Sequence, residues 1–138
     1  MNTTANRVLV TGATGFLGSH CLAPLVERGF DVLGLYHHSA PPDVPGVRWL
    51  RGDVMDRAAM RSLLEEHKPK GLLHLAWFVE PGKLITDASN LSWVSASLDL
   101  IRAFRESGGE RCTVSGSCYE YDWRFGYCVE GVTPCEPD

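Results

Sequence analysis

The stretch Val8-Leu9-Val10-Thr11-Gly12-Ala13-Thr14-Gly15-Phe16-Leu17-Gly18 joins an apolar run to an amphipathic one through three glycines. Arg7 to Val10 reads as a β-strand and Phe16 to Arg28 as a helix, so the glycines occupy a strand-to-helix turn. Each has a separate task there. Gly12 allows the tight turn, Gly15 lets a ligand phosphate approach the backbone, and Gly18 lets helix and strand touch where a Cβ would intervene. Backbone N–H groups at the head of a helix, together with its dipole, favour an anion, and this spacing suits a pyrophosphate. An ordinary tight βα turn could also hold glycines, but the apolar strand before them and the amphipathic helix after them favour a nucleotide. No Gly-Lys-Ser/Thr follows, which argues against a P-loop.

The alternation of short apolar runs with amphipathic stretches continues outward from this turn. Gly29 fits the stop of the first helix, and Pro24 inside it removes one backbone hydrogen bond and is expected to bend it. Asp31 to Tyr36 and Val47 to Arg51 read as the second and third strands. Between them, Ser39 to Gly46 contains three prolines and reads as loop. Met55 or Asp56 can cap a helix whose Met60, Leu63 and Leu64 share a face, and which ends before Pro69. Gly71 to Leu75 follows as the fourth strand. Residues from about Thr86 to Glu106 place Leu91, Val94, Leu98, Ile101 and Arg105 at helical spacing, with Gly108 and Gly109 as the stop, and Arg111 to Ser115 forms the fifth strand. The expected architecture is α/β: a doubly wound parallel sheet in the order 3-2-1-4-5, with right-handed crossovers and helices on both faces. From Tyr119 onward no period is sustained. A domain of this kind normally continues with a helix and strand after the fifth strand, so the chain is expected to be truncated.

Composition narrows the function classes. The 138 residues fit one domain, and 13 Lys and Arg against 17 Asp and Glu give a formal charge of −4. The charges are spread along the chain, so neither nucleic acid nor an anionic membrane is expected as a partner. The longest apolar stretch, Gly71 to Val79, is about half of the ~20 residues a membrane helix needs, and the polar start Met1 to Arg7 is not a signal peptide. A soluble, cytoplasmic protein is expected. The five cysteines, Cys21, Cys112, Cys118, Cys128 and Cys135, form no C-x-x-C pair and have no paired histidines, so they read as ordinary or small buried thiols and no metal is expected.

Thr11-Gly12-Ala13-Thr14-Gly15-Phe16-Leu17-Gly18, with its G-x-x-G-x-x-G spacing, resembles the extended short-chain dehydrogenase/reductase family, the sugar-nucleotide epimerases and dehydratases with a Rossmann fold. Arg51-Gly52-Asp53-Val54 resembles the family's adenine-contacting Asp-Val, and His74-Leu75-Ala76 its His-Leu-Ala beside the cofactor. Val114-Ser115-Gly116-Ser117-Cys118-Tyr119-Glu120-Tyr121 resembles the segment that ends strand five. The resemblance implies an NAD(P)-binding domain over residues 1–138 that is incomplete at its carboxyl end and lacks the substrate-binding region. It places the cofactor against Gly12, Thr14, Gly15, Phe16, Leu17 and Gly18, against Asp53 and Val54, and against Leu75, Ala76 and Trp77. Plainer readings stand beside it. Asp53 can simply close a turn. His74 can be a satisfied core histidine and is given no catalytic role. Trp77 can narrow the pocket, stack on a ligand ring or serve the core.

The choice of nicotinamide rests on strand two, where NAD-preferring folds carry an acid about twenty residues beyond the glycines. That position is Tyr36, followed by His37, His38 and Ser39, which could bind a 2′-phosphate or form a solvated turn. The missing carboxylate tilts the expectation toward NADP over NAD, and the absence of arginine there limits the tilt.

Family chemistry uses a Ser or Thr after strand five with a Tyr-x-x-x-Lys pair on the next helix, and Ser117, four residues before Tyr121, matches the hydroxyl position. Its plainer role is to satisfy loop backbone. Tyr119, Tyr121 and Tyr127 are followed four residues later by Trp123, Phe125 and Gly131, so no Tyr-x-x-x-Lys is present. Thr133-Pro134-Cys135-Glu136-Pro137-Asp138 resembles the family's approach to that helix. The family's supporting Asn aligns with Trp93, and Asn90 lies one turn earlier. The resulting expectation is the NAD(P)-binding part of a nucleotide-sugar epimerase, dehydratase or reductase, inactive as an isolated chain. Its exposed sheet edge would be covered by a homodimer or another partner. The alternative is a nonenzymatic dinucleotide sensor or interaction module.

Overall fold

A computed structural model describes residues 6–38 and 41–135. Ser39, the start of the polar amino-terminal stretch (1–5) and the final Glu136-Pro137-Asp138 lie outside the described residues. Five parallel strands, β1 (Arg7–Thr11), β2 (Asp31–Tyr36), β3 (Val47–Arg51), β4 (Gly71–His74) and β5 (Arg111–Val114), form one sheet in the order β3-β2-β1-β4-β5. This is the expected doubly wound order. Helix α1 (Phe16–Glu27) follows β1, α2 (Arg57–His67) follows β3, and α3 (Ser89–Glu106) follows β4. Among its described residues the β2–β3 connection carries no helix, as its prolines foretold.

Alternation along the strands divides the core between the two sheet faces. Val8, Val10 and Val32 pack with Leu22 of α1, whereas Leu9, Leu33, Leu35 and Leu72 pack with Met60 and Leu64 of α2 and Leu100 and Phe104 of α3. Helix α1 runs through Pro24 and ends at Arg28, with Gly29 at φ +81°. Asp56, not Met55, caps α2 by accepting from the Ala59 N–H at 3.0 Å. Helix α3 begins at Ser89 rather than Thr86. Asp87 Oδ1 accepts from the Ser89 N–H at 2.8 Å and closes a separate turn there.

Of the stripe expected to organise α3, Ile101 packs against the core but the rest lies on the other side. Leu91, Val94 and Leu98 are exposed, and the buried face is made of Ala96, Ser97, Leu100, Ala103 and Phe104. Two apolar stripes coexist on this helix, and the one with Ala96, Leu100, Ala103 and Phe104 packs into the core shared with α2 and the sheet. Beside it, all four residues of β5 are exposed. Of the two readings of the thiols, the structure favours ordinary over buried. None is fully buried: Cys112 sits on this bare edge strand, Cys118, Cys128 and Cys135 are exposed in the carboxyl-terminal loops, and Cys21 is half-buried.

The amino-terminal edge of the sheet is tied by charge. Arg7 Nε donates to Asp31 at 2.6 Å, Arg48 reaches the same carboxylate at 3.1 Å, and Arg7 also donates to the His67 carbonyl at 2.6 Å. Burial raises the Asp31 pKa, but these two guanidinium groups outweigh it and hold the carboxyl below its ordinary value.

The two faces of α3 give a direct check. Leu98→Gln should change the unfolding free energy by no more than about 0.5 kcal/mol, whereas Leu100→Ala should cost about 2–5 kcal/mol. Urea denaturation of both variants would read the difference.

Candidate functional site

In a parallel sheet the carboxyl ends of all strands meet at one edge, so the five segments singled out in the sequence converge there. β1 lies between β2 and β4, and the chain leaves β1 toward the α1 face but leaves β4 toward the α3 face. The opening between β1 and β4 is therefore a topological switch point, the place where such sheets receive ligands.

The glycine turn is built against this opening. Gly12 has φ +67°, and a Cβ there would stand 2.8 Å from the Ala76 nitrogen and 2.8 Å from the Leu75 carbonyl carbon. A Cβ on Gly18 would overlap the Gly12 carbonyl oxygen and stand 2.7 Å from the Ala13 Cα. Both glycines are demanded by the protein's own backbone. Gly15 differs. Its backbone (φ −78°, ψ 176°) suits any residue, and a Cβ would meet only the Gly12 carbonyl oxygen, at 3.2 Å, with open space beyond. It caps α1 with no side-chain hydrogen bond, and no acid occupies the first turn. Thr14, Gly15, Phe16 and Leu17 are exposed around these unneutralised N–H groups.

A buried polar chain clamps the turn to β4. Thr11 Oγ1 lies 2.6 Å from His74 Nδ1, and His74 Nε2 lies 2.8 Å from Ser97 Oγ. The Thr11 hydroxyl oxygen also receives the N–H groups of Leu75 at 3.2 Å and Ala76 at 3.3 Å. With its lone pairs occupied, the hydroxyl donates its proton to His74 Nδ1, which leaves Nε2–H to donate to Ser97. Burial pushes the His74 pKa down, in keeping with this neutral tautomer. His74 is thus a satisfied interior histidine. Thr11 and Ser97 were not singled out in the sequence: Ser97 is one of several polar residues on α3, and only its place on the buried face distinguishes it.

At the ends of β2 and β3, Tyr36 turns edge-on to Trp49, with ring centroids 6.4 Å apart at 80°. His37 and His38 lie against each other, with centroids 3.6 Å apart at 40°. His37 Nε2 meets Asp53 Oδ2 at 3.3 Å, and Asp53 Oδ1 accepts from the Met55 N–H at 2.9 Å. Asp53 therefore closes a turn and still presents an oxygen at the edge. The Val54 side chain is buried in the α2–α3 core.

Past β4, Leu75 packs into the α1-side core and Ala76 into the α3-side core. Trp77 donates its indole N–H to Asn90 Oδ1 at 3.2 Å and stacks near Trp93, with centroids 6.0 Å apart. Asn90 Nδ2 donates to the Leu84 carbonyl at 2.8 Å, so this amide holds the 84–90 turn.

Ser117 is exposed just beyond β5. Its N–H donates to Glu120 Oε1 at 2.6 Å, and the Glu120 N–H returns to the Ser117 carbonyl at 3.1 Å. The Ser-x-x-Glu spacing is a capping-box signature that could have revealed Glu120 from sequence. Beyond it the tail doubles back, with an antiparallel bridge between Tyr121 and Cys135 and Asp122 gripped by the Arg124 guanidinium at 2.8 Å. Among the described residues no cluster of His, Cys, Asp and Glu could hold a metal, and no helix is long and apolar enough to cross a membrane.

Two outcomes follow from this packing. Gly18→Ala should lower stability by about 1–3 kcal/mol, because the new methyl group meets backbone that cannot move aside; thermal unfolding would measure it. His74 has a folded-state pKa below its unfolded value, so its contribution is complete above the ordinary histidine value of about 6.5 and is lost as pH falls toward the lower folded value. Urea unfolding at about pH 8 and about pH 5.5 should show this loss, and it should shrink in His74→Gln, which cannot titrate.

Comparison with known proteins agrees with this geometry. The family model described as "NAD dependent epimerase/dehydratase family" matches residues 8–135. The UDP-glucose 4-epimerase of Rhizobium meliloti is 29% identical over 121 residues, covering 84% of this chain and 37% of that protein. The enzyme of the same name from Rhizobium leguminosarum bv. trifolii is 30% identical over 119 residues, covering 83% of this chain and 36% of that protein. The crystal structure of the Thermus thermophilus UDP-glucose 4-epimerase in complex with NAD superposes with a TM-score of 0.79 at 27% identity, covering 95% of this chain and 44% of that one. The chain thus spans little more than a third of the length of the curated relatives. A switch-point turn whose Gly12 and Gly18 have no room for side chains, in a sheet of this order, agrees with a family match over nearly the whole described chain: the chain belongs to the NAD dependent epimerase/dehydratase family.

Proposed function

We propose that this chain is the dinucleotide-binding portion of an enzyme that epimerises a nucleotide-activated sugar, a UDP-hexose in the first instance. The observation that carries the reading is Gly15. It lies at the switch point in a backbone conformation open to any residue, a Cβ there would meet the protein only at the Gly12 carbonyl oxygen, at 3.2 Å, and its bare side opens beside the N–H groups at the head of α1. A pyrophosphate seated there explains the missing side chain. The residues fit a nicotinamide dinucleotide. Gly12, Thr14, Gly15, Phe16, Leu17 and Gly18 would line the pyrophosphate, while Leu75, Ala76 and Trp77 would border the path toward the nicotinamide. Asp53 would lie at the adenosine end, and Val54 would support it from the core. The sequence tilt toward NADP rested on residues 36–39, and the relatives bear only on a dinucleotide of the NAD type.

Bound nicotinamide supplies a reversible hydride acceptor. This chain's part is to hold it, and Ser117 would donate a hydrogen bond to the reacting sugar oxygen. Proton exchange at that oxygen needs an acid/base group of the Tyr-x-x-x-Lys kind, which the 138 residues do not contain. The isolated chain is therefore expected to bind the dinucleotide without turnover, and sugar recognition is assigned to polypeptide beyond it. The bare β5 edge is where that polypeptide, or a second copy, would pack. The lack of a Tyr-x-x-x-Lys pair is also the observation that favours the second reading, a nonenzymatic dinucleotide sensor.

Isothermal titration with NAD tests the shared premise. Gly15→Ala should melt close to the parent chain yet bind NAD about tenfold or more weakly, since its methyl group takes the space of the phosphate. Unaltered affinity in that variant would remove the proposed pyrophosphate site. UDP-hexose epimerisation gained by extending the chain through a Tyr-x-x-x-Lys helix would decide for the enzyme, and dinucleotide-dependent partner binding without turnover would decide for the sensor.

A further inference from the structure

One hydroxyl ties the end of β4 to the glycine turn. Thr11 Oγ1 accepts from the Ala76 N–H at 3.3 Å, and the Ala76 nitrogen is the atom that a Cβ on Gly12 would meet at 2.8 Å. The Leu75 N–H reaches the same hydroxyl at 3.2 Å and has a second acceptor, the Thr11 carbonyl oxygen, also at 3.2 Å. Thr11 Oγ1 can serve both N–H groups only while its own proton has somewhere to go, and the acceptor is the bare Nδ1 of His74, 2.6 Å away. A second proton on the ring would fill Nδ1. Thr11 Oγ1 would then face three N–H donors with two lone pairs, and its own hydrogen would lose its acceptor. The longest of these contacts, from Ala76, is the one to give way.

We propose that His74 is a positioning residue for the dinucleotide site, and that a proton on its ring acts through Thr11 to release Ala76 and weaken dinucleotide binding, an inference that deepens the dinucleotide reading and rests on it. The surroundings leave that proton uncompensated. β1 presents the Thr11 hydroxyl, α3 presents Ser97 at 2.8 Å, and Val114 of β5 stands opposite His74 in the sheet. Two residues before Val114, Cys112 stands opposite Leu72, a thiol that keeps its proton at neutral and acid pH. Asp99 of α3 is committed to Arg57 at 2.9 Å, and Glu120 beyond β5 to the Ser117 N–H at 2.6 Å. The coupling runs both ways, so a bound dinucleotide that needs Ala76 seated holds the ring neutral. Binding is therefore strongest above the ordinary histidine range and falls as pH drops through the value that burial has lowered. The other histidines near the site are distinguishable. His20 donates Nδ1–H to the Phe16 carbonyl at 2.7 Å, and its charging on α1 would attract a phosphate, the opposite trend. His37 and His38 are addressed by a variant of their own.

The test is titration of the 138-residue chain with NAD at about pH 8 and about pH 5, repeated on His74→Asn, Thr11→Val and the double variant His37→Ala/His38→Ala, with circular dichroism checking that each is folded at both values. Asparagine places an oxygen that accepts from the Thr11 hydroxyl and does not titrate. The expected result is an NAD affinity about tenfold lower at the acid value in the parent chain, a fall of no more than about twofold in H74N and in T11V, and an undiminished fall in H37A/H38A. Nitrogen-15 NMR of the ligand-free parent chain gives a second readout that needs no variant: the Ala76 amide should titrate together with the His74 ring. An affinity in the parent that does not fall with acid would overturn the inference and leave the dinucleotide reading standing. So would a fall that survives intact in H74N, or an Ala76 amide that does not follow the ring. Binding of NAD at neither pH would overturn the reading itself, and this inference with it.

Discussion

There is no room for a side chain at Gly12 or Gly18, where β1 turns into α1. Gly12 takes a left-handed conformation with its missing Cβ against the backbone of Leu75 and Ala76, and Gly18 lets α1 descend onto the Gly12 carbonyl. This close approach sets the position of α1 on the sheet, and with it the direction of the N–H groups at its head. It also brings the end of β4 against the same turn. The switch-point opening is thus a consequence of backbone contact, and any group added at either glycine would widen it at the expense of the core.

The polar chain from Thr11 through His74 to Ser97 adds direction to that contact. It joins β1, β4 and α3 inside the protein and draws the Leu75 and Ala76 N–H groups onto Thr11. A buried network of this sort is stabilising only when fully satisfied, which is why a neutral histidine suits the position. At the far edge of the sheet, Arg7, Asp31 and Arg48 do a different job, pinning the starts of three strands by charge. One edge of the sheet is closed by ion pairs and the other is left open for a ligand.

Helix α3 and β5 show how the same chain carries surface that its own core does not use. The exposed Leu91, Val94 and Leu98 stand opposite the buried Leu100 and Phe104, and β5 is paired with β4 along one side only. β5 leads into the carboxyl-terminal loops, where the Asp122–Arg124 fork and the Ser117–Glu120 cap are local contacts.

Much of this was legible in the sequence. The strand and helix positions, the sheet order and the glycine turn follow from local periodicity and from the steric requirements of glycine, both of which act between residues close in the chain. The face of α3 was misread because two apolar stripes with helical spacing coexist, and only packing against the sheet selects one of them. Thr11 and Ser97 escaped notice because ordinary hydroxyl residues gain importance only when a partner 63 or 23 positions away, His74, arrives beside them. That Asp53 and His37, each singled out by itself, would meet was hidden for the same reason: Asp53 follows another strand, and the β2–β3 register brings it there. The sequence by itself determined the elements and the glycine turn, since short-range sterics and hydrophobic period are written locally. Only the tertiary structure decided which side chains face each other at the open edge, because strand register and helix rotation are settled by contacts between segments far apart in the chain.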